Sequence, residues 1–425
     1  MSVVAQEHKT GEAPLQPISW KYPITYLILF LLSALFPLTV SSGSTTIFRV
    51  ASARDFVEIP PLTIPSLAGG LVCAVLLAGL TGYAFWRAAQ RRRPQLFVPI
   101  LFGTLFVLAF LIWAGSGRGA VIPLTTMLTG ALALSVPLIF GALCGLVGER
   151  SGVINIAIEA QLLAGAFLAA VAASLLTNAY FGLIAAPFAG AAVGALLVFF
   201  SVKYQVNQII VGVVLNVLVL GLTSFFYSTL LTENAGVWNA RQQLDRLPIP
   251  FLSEIPILGP VLFNQTILVY LMYVVVIILH IMLFRSRWGL RIRAVGEHPK
   301  AADTVGISVN RTRVRNVILG GAIAGLGGAS FTVGQGLAFG PEISAGQGFI
   351  ALAAMILGRW RPISALLAAL LFGFSTSLGN TLSAIGTPVA SEMLLMLPYI
   401  ITIFAVAGFV GRVRPPAANG THYVK

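Results

Sequence analysis

Apolar runs of nearly twenty residues recur along the chain, and this is the length that a helix needs to cross the hydrocarbon core of a bilayer. Twelve runs meet or approach it, at residues 24–41, 66–86, 97–114, 122–147, 157–176, 180–200, 207–229, 265–284, 315–337, 345–358, 362–380 and 389–411. In lipid, a helix satisfies its backbone polar groups within one segment. The sequence therefore predicts an all-α fold, a polytopic bundle of transmembrane helices. The run at 345–358 is too short to span alone, so a half-helix and discontinuous helices are expected.

The composition indicates the same environment. Hydrophobic residues make up 57% of the 425 residues and charged residues 9%, whereas soluble domains carry roughly 25% charged residues. The formal net charge of +13 would suggest a nucleic-acid partner in a soluble protein. Here the basic residues lie between apolar runs, so the lipid bilayer is the expected partner and nucleic acid is not. Cys73 and Cys144 lack metal-ligand spacing, and we expect no metal or other cofactor.

The distribution of basic residues predicts the orientation. If the N-terminus is cytoplasmic and the twelve runs alternate, 21 of the 26 Lys and Arg residues fall in cytoplasmic segments and five in external ones. Cytoplasmic loops of membrane proteins carry such an excess of Lys and Arg. We therefore expect both termini in the cytoplasm, a long external loop at 230–264 and a long cytoplasmic segment at 285–314.

Two interrupted segments resemble each other, GERSGVINIAIEAQLLAGA at 148–166 and GPEISAGQGFIALAAMILG at 340–358. Each begins near Gly and an acidic residue, continues through polar and small residues, and resumes as an apolar run. If the runs alternate in direction across the membrane, the first break lies on the cytoplasmic side and the second on the external side. The pair predicts an inverted-topology repeat, the usual basis of alternating access. Chance similarity is the alternative.

Three stretches carry a family resemblance: GLVGERSGVINIAIEAQLLAGAFLAA at 145–170, GLRIRAVGEHPKAADTVGI at 289–307 and GQGFIALAAMILGRWRPISALLAALLFG at 346–373. The chain resembles the permease subunits of bacterial ABC importers for nucleosides and simple sugars, relatives of the ribose and branched-chain amino acid permeases. The resemblance covers residues from about 120 to 411. It implies a permease core at 116–412, an N-terminal extension with about three transmembrane helices at 1–115 and a cytoplasmic tail at 413–425.

The resemblance implies a location and partners. The chain is expected to be a multi-pass protein of the bacterial plasma membrane. It is expected to pair with a second permease subunit, identical or homologous. A cytoplasmic ABC ATPase and an extracytoplasmic substrate-binding protein complete the importer, and nucleosides are favoured as substrate, with simple sugars as the alternative. A phosphate-binding P-loop ends in Gly-Lys, and no Lys follows a Gly in this chain. The chain is therefore not expected to be an enzyme. An ion-coupled secondary transporter is a weaker alternative, because it would need no docking segment.

Polar residues beside the two breaks are candidates for the substrate pathway, because polar side chains are costly in hydrocarbon and usually face a pathway or another helix. These candidates are Gly152, Asn155, Glu159, Gln161, Gln335 and Gln347. Asn155 and Glu159 are four residues apart, and this spacing predicts that they share one helical face. Gly152 permits a chain break that frees backbone groups for a ligand. Hydrogen bonding between helices is the alternative role for such side chains.

The basic cytoplasmic segment contains a short predicted helix, which begins at Pro299 and ends before Gly306. A helix this short in a basic loop is typical of a docking element, and the resemblance implies that it couples the permease to the ATPase. A solvated loop is the alternative. The candidate coupling residues are Gly296, Glu297, Pro299, Lys300, Ala301, Ala302, Asp303 and Gly306.

Overall fold

The structure is a computed structural model that describes residues 20–51, 59–92, 95, 97–387, 389–390, 393–394, 396, 399–400 and 414–424. Within these ranges the helices are α1 (Lys21–Leu35), α2 (Ser66–Ala89), α3 (Phe97–Ala114), α4 (Leu124–Arg150), α5 (Ile158–Leu175), α6 (Ala179–Val198), α7 (Gln208–Phe226), α8 (Ala235–Trp238), α9 (Ile267–Arg285), α10 (Arg287–Glu297), α11 (Pro299–Thr304), α12 (Val309–Ala329), α13 (Gln347–Leu357) and α14 (Pro362–Ile385).

Short strands and tighter or wider helical turns join these helices. The strands are β1 (Thr45–Arg49), β2 (Leu62–Pro65), β3 (Val121–Pro123), β4 (Arg246–Pro248) and β5 (Asn264–Thr266). Strand β1 pairs antiparallel with β2 and parallel with β3, and β4 pairs antiparallel with β5. A 3-10 turn covers Pro37–Thr39, and π-helical turns cover Phe199–Lys203, Tyr227–Leu231, Gly259–Phe263 and Ser330–Gly334.

Ten helical segments among the described residues are long and apolar enough to cross a membrane. They contain α1 to α7, α9, α12 and α14, so the predicted class of polytopic helical membrane protein is confirmed. Helix α13 has 11 residues, too few to span a bilayer at 1.5 Å per residue, as the short run at 345–358 predicted. The last predicted run, 389–411, lies largely outside the described residues.

The chain divides into two compact units. The first unit takes its described residues from Met1–Val50, Ile59–Pro123 and Ala384–Pro388. Its helices α1, α2 and α3 pack around an apolar cluster in which the rings of Tyr26 and Phe102 stack with centroids 4.2 Å apart. In the same unit, the buried Thr46 hydroxyl of β1 donates to the Ile112 carbonyl at 2.7 Å. This bond ties the small sheet to α3.

The second unit takes its described residues from Ala51–Glu58, Leu124–Ser383 and Val389–Lys425. Helices α4, α5, α6 and α12 pack closely at its centre, because small residues let the backbones approach. Gly190 of α6 faces the backbone of Gly321 and Gly325 on α12, and a Cβ added at Gly190 would collide with both. Gly328 of α12 meets the Leu162 carbonyl of α5 in the same way. The glycine series of α12 therefore serves helix packing.

Candidate functional site

The first predicted break lies between α4 and α5. Helix α4 ends at Arg150, and α5 begins at Ile158 after an irregular segment. Gly152 adopts φ +88°, a left-handed conformation that glycine tolerates. A Cβ at this position would lie 2.9 Å from Nη2 of Arg313 and 3.2 Å from the Ala418 carbonyl oxygen. Gly152 is thus a packed turn residue that lies against two other parts of the chain.

Asn155 and Gln161 form a closed polar cluster with Cys144, and all three side chains have no exposed surface. Nδ2 of Asn155 donates to Oε1 of Gln161 at 3.0 Å and to the Cys144 sulfur at 3.2 Å. The Cys144 thiol also donates to Oε1 of Gln161, at 3.0 Å. Oδ1 of Asn155 and Nε2 of Gln161 have no hydrogen-bond partner among the described residues. The cluster joins the irregular segment to α4 and α5 inside the second unit.

The carboxylate of Glu159 lies at the second break, where it caps the half-helix α13. Oε1 accepts the Ser344 hydroxyl at 2.6 Å and the Gly346 N–H at 2.9 Å, and Oε2 accepts the Gly348 N–H at 2.6 Å. The first N–H groups of a helix lack partners within the helix, and its N-terminus carries partial positive charge. Glu159 therefore supplies both the acceptors and the negative charge that this helix start requires.

The prediction that Asn155 and Glu159 share one helical face is wrong. Asn155 lies in the irregular segment, and Glu159 lies in the first turn of α5. The i, i+4 rule holds only within a continuous helix, and the chain is not helical from Ser151 to Ala157. Their side chains consequently bond to different parts of the unit, Asn155 to Cys144 of α4 and Gln161 of α5, and Glu159 to the start of α13.

The second predicted break lies between α12 and α13. The π-helical turn Ser330–Gly334 ends α12, and the chain becomes helical again at Gln347. Gly346 adopts φ +77° immediately before α13. The half-helix start also lies against α5, because a Cβ on Gly348 would come within 2.5 Å of the Glu159 backbone nitrogen. The two breaks therefore meet within one unit, which is compatible with the predicted inverted repeat but leaves it a prediction.

Gln347 lines a cavity of about 320 Å³ next to the start of α13. Its Oε1 is buried and has no hydrogen-bond partner among the described residues. The cavity is lined by Leu134, Leu138, Ala345, Gln347, Ile350, Thr376 and Tyr399. Gln335 lies half-buried just after the π-helical turn and is not among the lining residues.

Sequence reasoning missed Thr376 and Tyr399, which bring polar groups from other parts of the chain to this cavity. Both residues lie within predicted apolar runs. A single hydroxyl in such a run does not indicate which side of the helix faces a cavity. The hydroxyl of Thr376 donates its hydrogen bond to the Phe372 carbonyl within α14, at 3.0 Å. The hydroxyl is therefore not available to donate to a ligand. Gln347 and Tyr399 therefore remain as the side chains best able to donate to a ligand here.

The predicted docking helix is present as α11, and it follows directly after the amphipathic helix α10. Glu297, Lys300 and Ala301 are exposed, and Asp303 is half-buried. Pro299 begins the helix, and Gly306 ends it with φ +84°. These positions give the helix a polar surface that a partner can reach.

Ala302 and Gly296 differ from the other coupling candidates because they face the interior of the chain. Ala302 is 3% exposed and packs with Val295 and Val309. A Cβ at Gly296 would collide with the Arg150 carbonyl at the end of α4. The prediction that Ala301 and Ala302 both contact a partner is therefore wrong for Ala302, because its side chain faces inward. The short helix presents only one of its faces outward.

The C-terminal tail binds this same region. Ala418 N–H donates to the Gly296 carbonyl at 2.8 Å, and Nδ2 of Asn419 donates to Oε2 of Glu149 at 3.1 Å. Arg313, which is 2% exposed, donates through Nη1 to the Thr421 carbonyl at 2.7 Å. Partial burial and the Asp303 carboxylate raise the pKa of the Tyr423 phenol. The tail therefore contacts α10, α11, α12 and the end of α4.

These features, namely many membrane-length helices, two interrupted apolar segments and the short helix α11, are typical of a membrane transporter subunit. The family model for the permease component of the branched-chain amino acid transport system matches residues 127–406. The chain belongs to this family. It is a permease subunit of an ABC transporter, so ATP hydrolysis resides in a separate subunit. The family implies an ATPase and a substrate-binding protein as partners.

Individual relatives cover most of the chain. It is 37% identical to the guanosine ABC transporter permease protein NupQ of Bacillus subtilis, over 71% of this chain and 97% of that protein. It is 38% identical to the nucleoside ABC transporter permease protein NupC of Lactococcus lactis, over 71% of this chain and 98% of that protein. The putative glucose ABC transporter permease protein TsgC13 of Haloferax volcanii is 33% identical over 59% of this chain and 76% of its own length. No solved structure matches the chain.

Proposed function

We propose that the chain is the permease of an importer for nucleosides. Two relatives that match almost over their whole length are named for guanosine or nucleoside transport. The named glucose relative has lower identity and a shorter match. Simple sugars are therefore the second candidate substrate.

The cavity beside α13 is the observation that carries this proposal. Its volume of about 320 Å³ falls near the lower end of the range for small-molecule sites, about 300–1,000 Å³. Its lining is largely aliphatic, and it includes one aromatic ring and one amide, those of Tyr399 and Gln347. An aromatic ring stacks on a nucleobase, and a Gln amide pairs with a base edge because it offers a donor and an acceptor together. A free sugar would need more hydroxyl partners than this lining supplies.

Uptake of labelled guanosine tests the proposal in cells that express the permease with its ATPase and binding protein. Replacing Tyr399 by Leu removes a stacking surface worth about 1–3 kcal/mol, so we expect apparent affinity to fall by about 5- to 150-fold. Gln347→Leu should weaken uptake of different bases unequally, because it removes the hydrogen bonds that read the base edge. Gln90→Leu, an exposed substitution immediately after α2, is the matched control.

The outcomes separate the two substrates. Inhibition of uptake by unlabelled nucleosides, together with none by ribose, supports a nucleoside importer. Transport of labelled ribose without nucleoside transport would favour the simple-sugar alternative. If uptake of guanosine is intact in both cavity variants, the cavity is not the contact site, whatever the substrate.

The partners and orientation belong to the same proposal. The chain is also 28% identical to the guanosine ABC transporter permease protein NupP of Bacillus subtilis, over 67% of this chain and 83% of that protein. Resemblance to two permeases of one organism supports a homologous second permease subunit. The excess of basic residues supports cytoplasmic termini. The proposed contact for the ATPase is the exposed surface formed by Glu297 at the end of α10 and by Lys300 and Ala301 of α11.

A further inference from the structure

One side of α7 carries two amide side chains and a glycine in a row. Gln208, Gly212 and Asn216 are spaced four residues apart and therefore lie above one another along the helix. Gln208 and Gly212 are buried and Asn216 is half-buried. On the opposite side of the helix, Ile210 is 59% exposed and Val217 is 66% exposed. The row thus belongs to the side by which α7 packs in the second unit.

The first two members of this row lie against the first break. Oε1 of Gln208 accepts the Ile154 N–H at 2.7 Å. A Cβ added at Gly212 would lie 3.0 Å from Cβ of Ile156, so the two chain segments pass closely here. The stretch VINIA at 153–157 contains neither Gly nor Pro, the two residues that most disfavour a helix. Tertiary contacts such as these therefore hold the stretch in its irregular conformation.

The third member, Asn216, takes the place of one helical hydrogen bond. In an α-helix the N–H of each residue donates to the carbonyl four residues earlier, and Ala160 and Ile156 form such a pair. At the start of α5 the Asn216 amide bridges them instead. Its Oδ1 accepts the Ala160 N–H at 3.0 Å, and its Nδ2 donates to the Ile156 carbonyl at 3.0 Å. Both backbone groups are thereby satisfied where the helix begins, as buried polar groups must be.

The bridged turn also carries the carboxylate that caps α13. Glu159 directly precedes Ala160, and it accepts the N–H groups of Gly346 and Gly348 at the start of α13. The first turn of α5 is therefore bonded to α7 through Asn216 and to α13 through Glu159. A displacement of this turn would change both attachments together.

We propose that Asn216 is a positioning residue for transport. Its amide holds the first turn of α5 in the place where Glu159 can cap α13. Through this bridge, α7 acts on the second break by way of the first. The proposal does not depend on which substrate the permease carries.

Hydrogen exchange measured by mass spectrometry tests whether the effect reaches α13, on the purified full-length chain in detergent without substrate. Asn216→Ala removes the bridging amide, so we expect about fivefold faster exchange in peptides that contain Ala160. Exchange should also rise in peptides that contain Gly346 and Gly348, because the Glu159 cap is loosened. The matched control is Val217→Ala, an exposed change on the same helix, which should exchange as wild type does.

The two regions give separate answers. Faster exchange near Ala160 with unchanged exchange at Gly348 would limit Asn216 to local packing and overturn the proposal. Unchanged exchange in both regions would overturn it as well. If gel filtration shows that Asn216→Ala does not fold, Asn216→Ser, a smaller loss of polar contact, takes its place.

A double-mutant cycle then asks whether Asn216 acts on transport through Glu159. The measured rate is the initial uptake of labelled guanosine by the complete importer in cells, or of labelled ribose if the wild type takes up ribose instead. We expect Asn216→Ala and Glu159→Gln each to reduce uptake about tenfold, and the double variant to lose about tenfold as well. Independent effects would multiply to a loss of about a hundredfold, and that result would contradict the proposed role. Val217→Ala should leave uptake unchanged.

Discussion

The carboxylate of Glu159 accepts the backbone N–H of Gly348 at 2.6 Å, although 189 residues separate the two in sequence. This contact fixes the start of the half-helix α13 against the first turn of α5. It places the two breaks in the membrane spans side by side, next to the cavity that Gln347 lines. A movement of α13 away from α5 would break these hydrogen bonds to Glu159.

Replacing Glu159 by Gln should weaken this attachment, because the amide has one acceptor oxygen where the carboxylate has two and it lacks the negative charge. Hydrogen bonds to a charged group contribute about 1.5–3 kcal/mol, so we expect a lower thermal unfolding temperature and reduced uptake. Fluorescence-detected melting in detergent measures the first effect. Glu254→Gln, in an exposed loop position, should change neither. Normal stability and transport in Glu159→Gln would show that the cap is dispensable.

A methyl group at Gly348 should separate the two breaks sterically. The Cβ of Gly348→Ala would lie within 2.5 Å of the Glu159 backbone nitrogen, and backbone cannot give way as a flexible side chain does. We expect uptake to fall by about 5- to 150-fold at near-normal expression, since overpacking costs about 1–3 kcal/mol. The matched control is Gly221→Ala on α7, where a Cβ would meet nothing within 4 Å. Equal activity of the two variants would contradict the close contact.

The two neighbouring alanines of α11 should respond differently to arginine. Ala301 is exposed, so Ala301→Arg should leave the permease folded and abolish stimulation of ATP hydrolysis by substrate. Ala302 is buried against Val295 and Val309, so Ala302→Arg should reduce the yield of folded protein itself. Gel filtration and ATPase assays of the reconstituted complex separate the two effects. Ala89→Arg, exposed at the end of α2, is the control, and full coupling in Ala301→Arg would exclude this face as the ATPase contact.

Removing the tail should destabilise the region of the first break. Deletion of residues 415–425 takes away the Thr421 carbonyl from the buried Arg313 and the Asn419 amide from Glu149. A buried charge that loses its partner costs about 3–5 kcal/mol, and we expect faster proteolysis near Gly152 and weaker coupling. Val424→Ala, an exposed change in the tail, should behave as wild type. An undiminished melting temperature after deletion would mean that the tail does not stabilise the unit.

The orientation can be tested by cysteine labelling in intact cells, in a variant without Cys73 and Cys144. Phe251 is 85% exposed in the expected external loop and Val424 is 68% exposed in the expected cytoplasmic tail. Phe251→Cys should react with a membrane-impermeant maleimide, and Val424→Cys should react only after permeabilisation. The reverse pattern would invert the predicted topology.

The sequence was sufficient for the features that depend on local chemistry. The length of the apolar runs predicts spans such as α2 and α9, because hydrocarbon thickness sets the number of residues required. The breaks at 148–156 and 340–347 were predictable because Gly and polar residues interrupt apolar helices there. Pro299 and Gly306 likewise mark the ends of α11 to within two residues.

The tertiary structure decided which way each side chain faces. In water, the apolar stripe of a helix identifies its buried face, but a membrane helix is apolar on its lipid face as well, so periodicity gives no direction. The inward position of Ala302, the closed cluster of Asn155 and the cavity contact of Tyr399 all depend on that direction. So does the bond from Glu159 to a backbone 189 residues away. Residues so distant in sequence meet only after the helices have packed, and close glycine contacts between α6 and α12 set that packing.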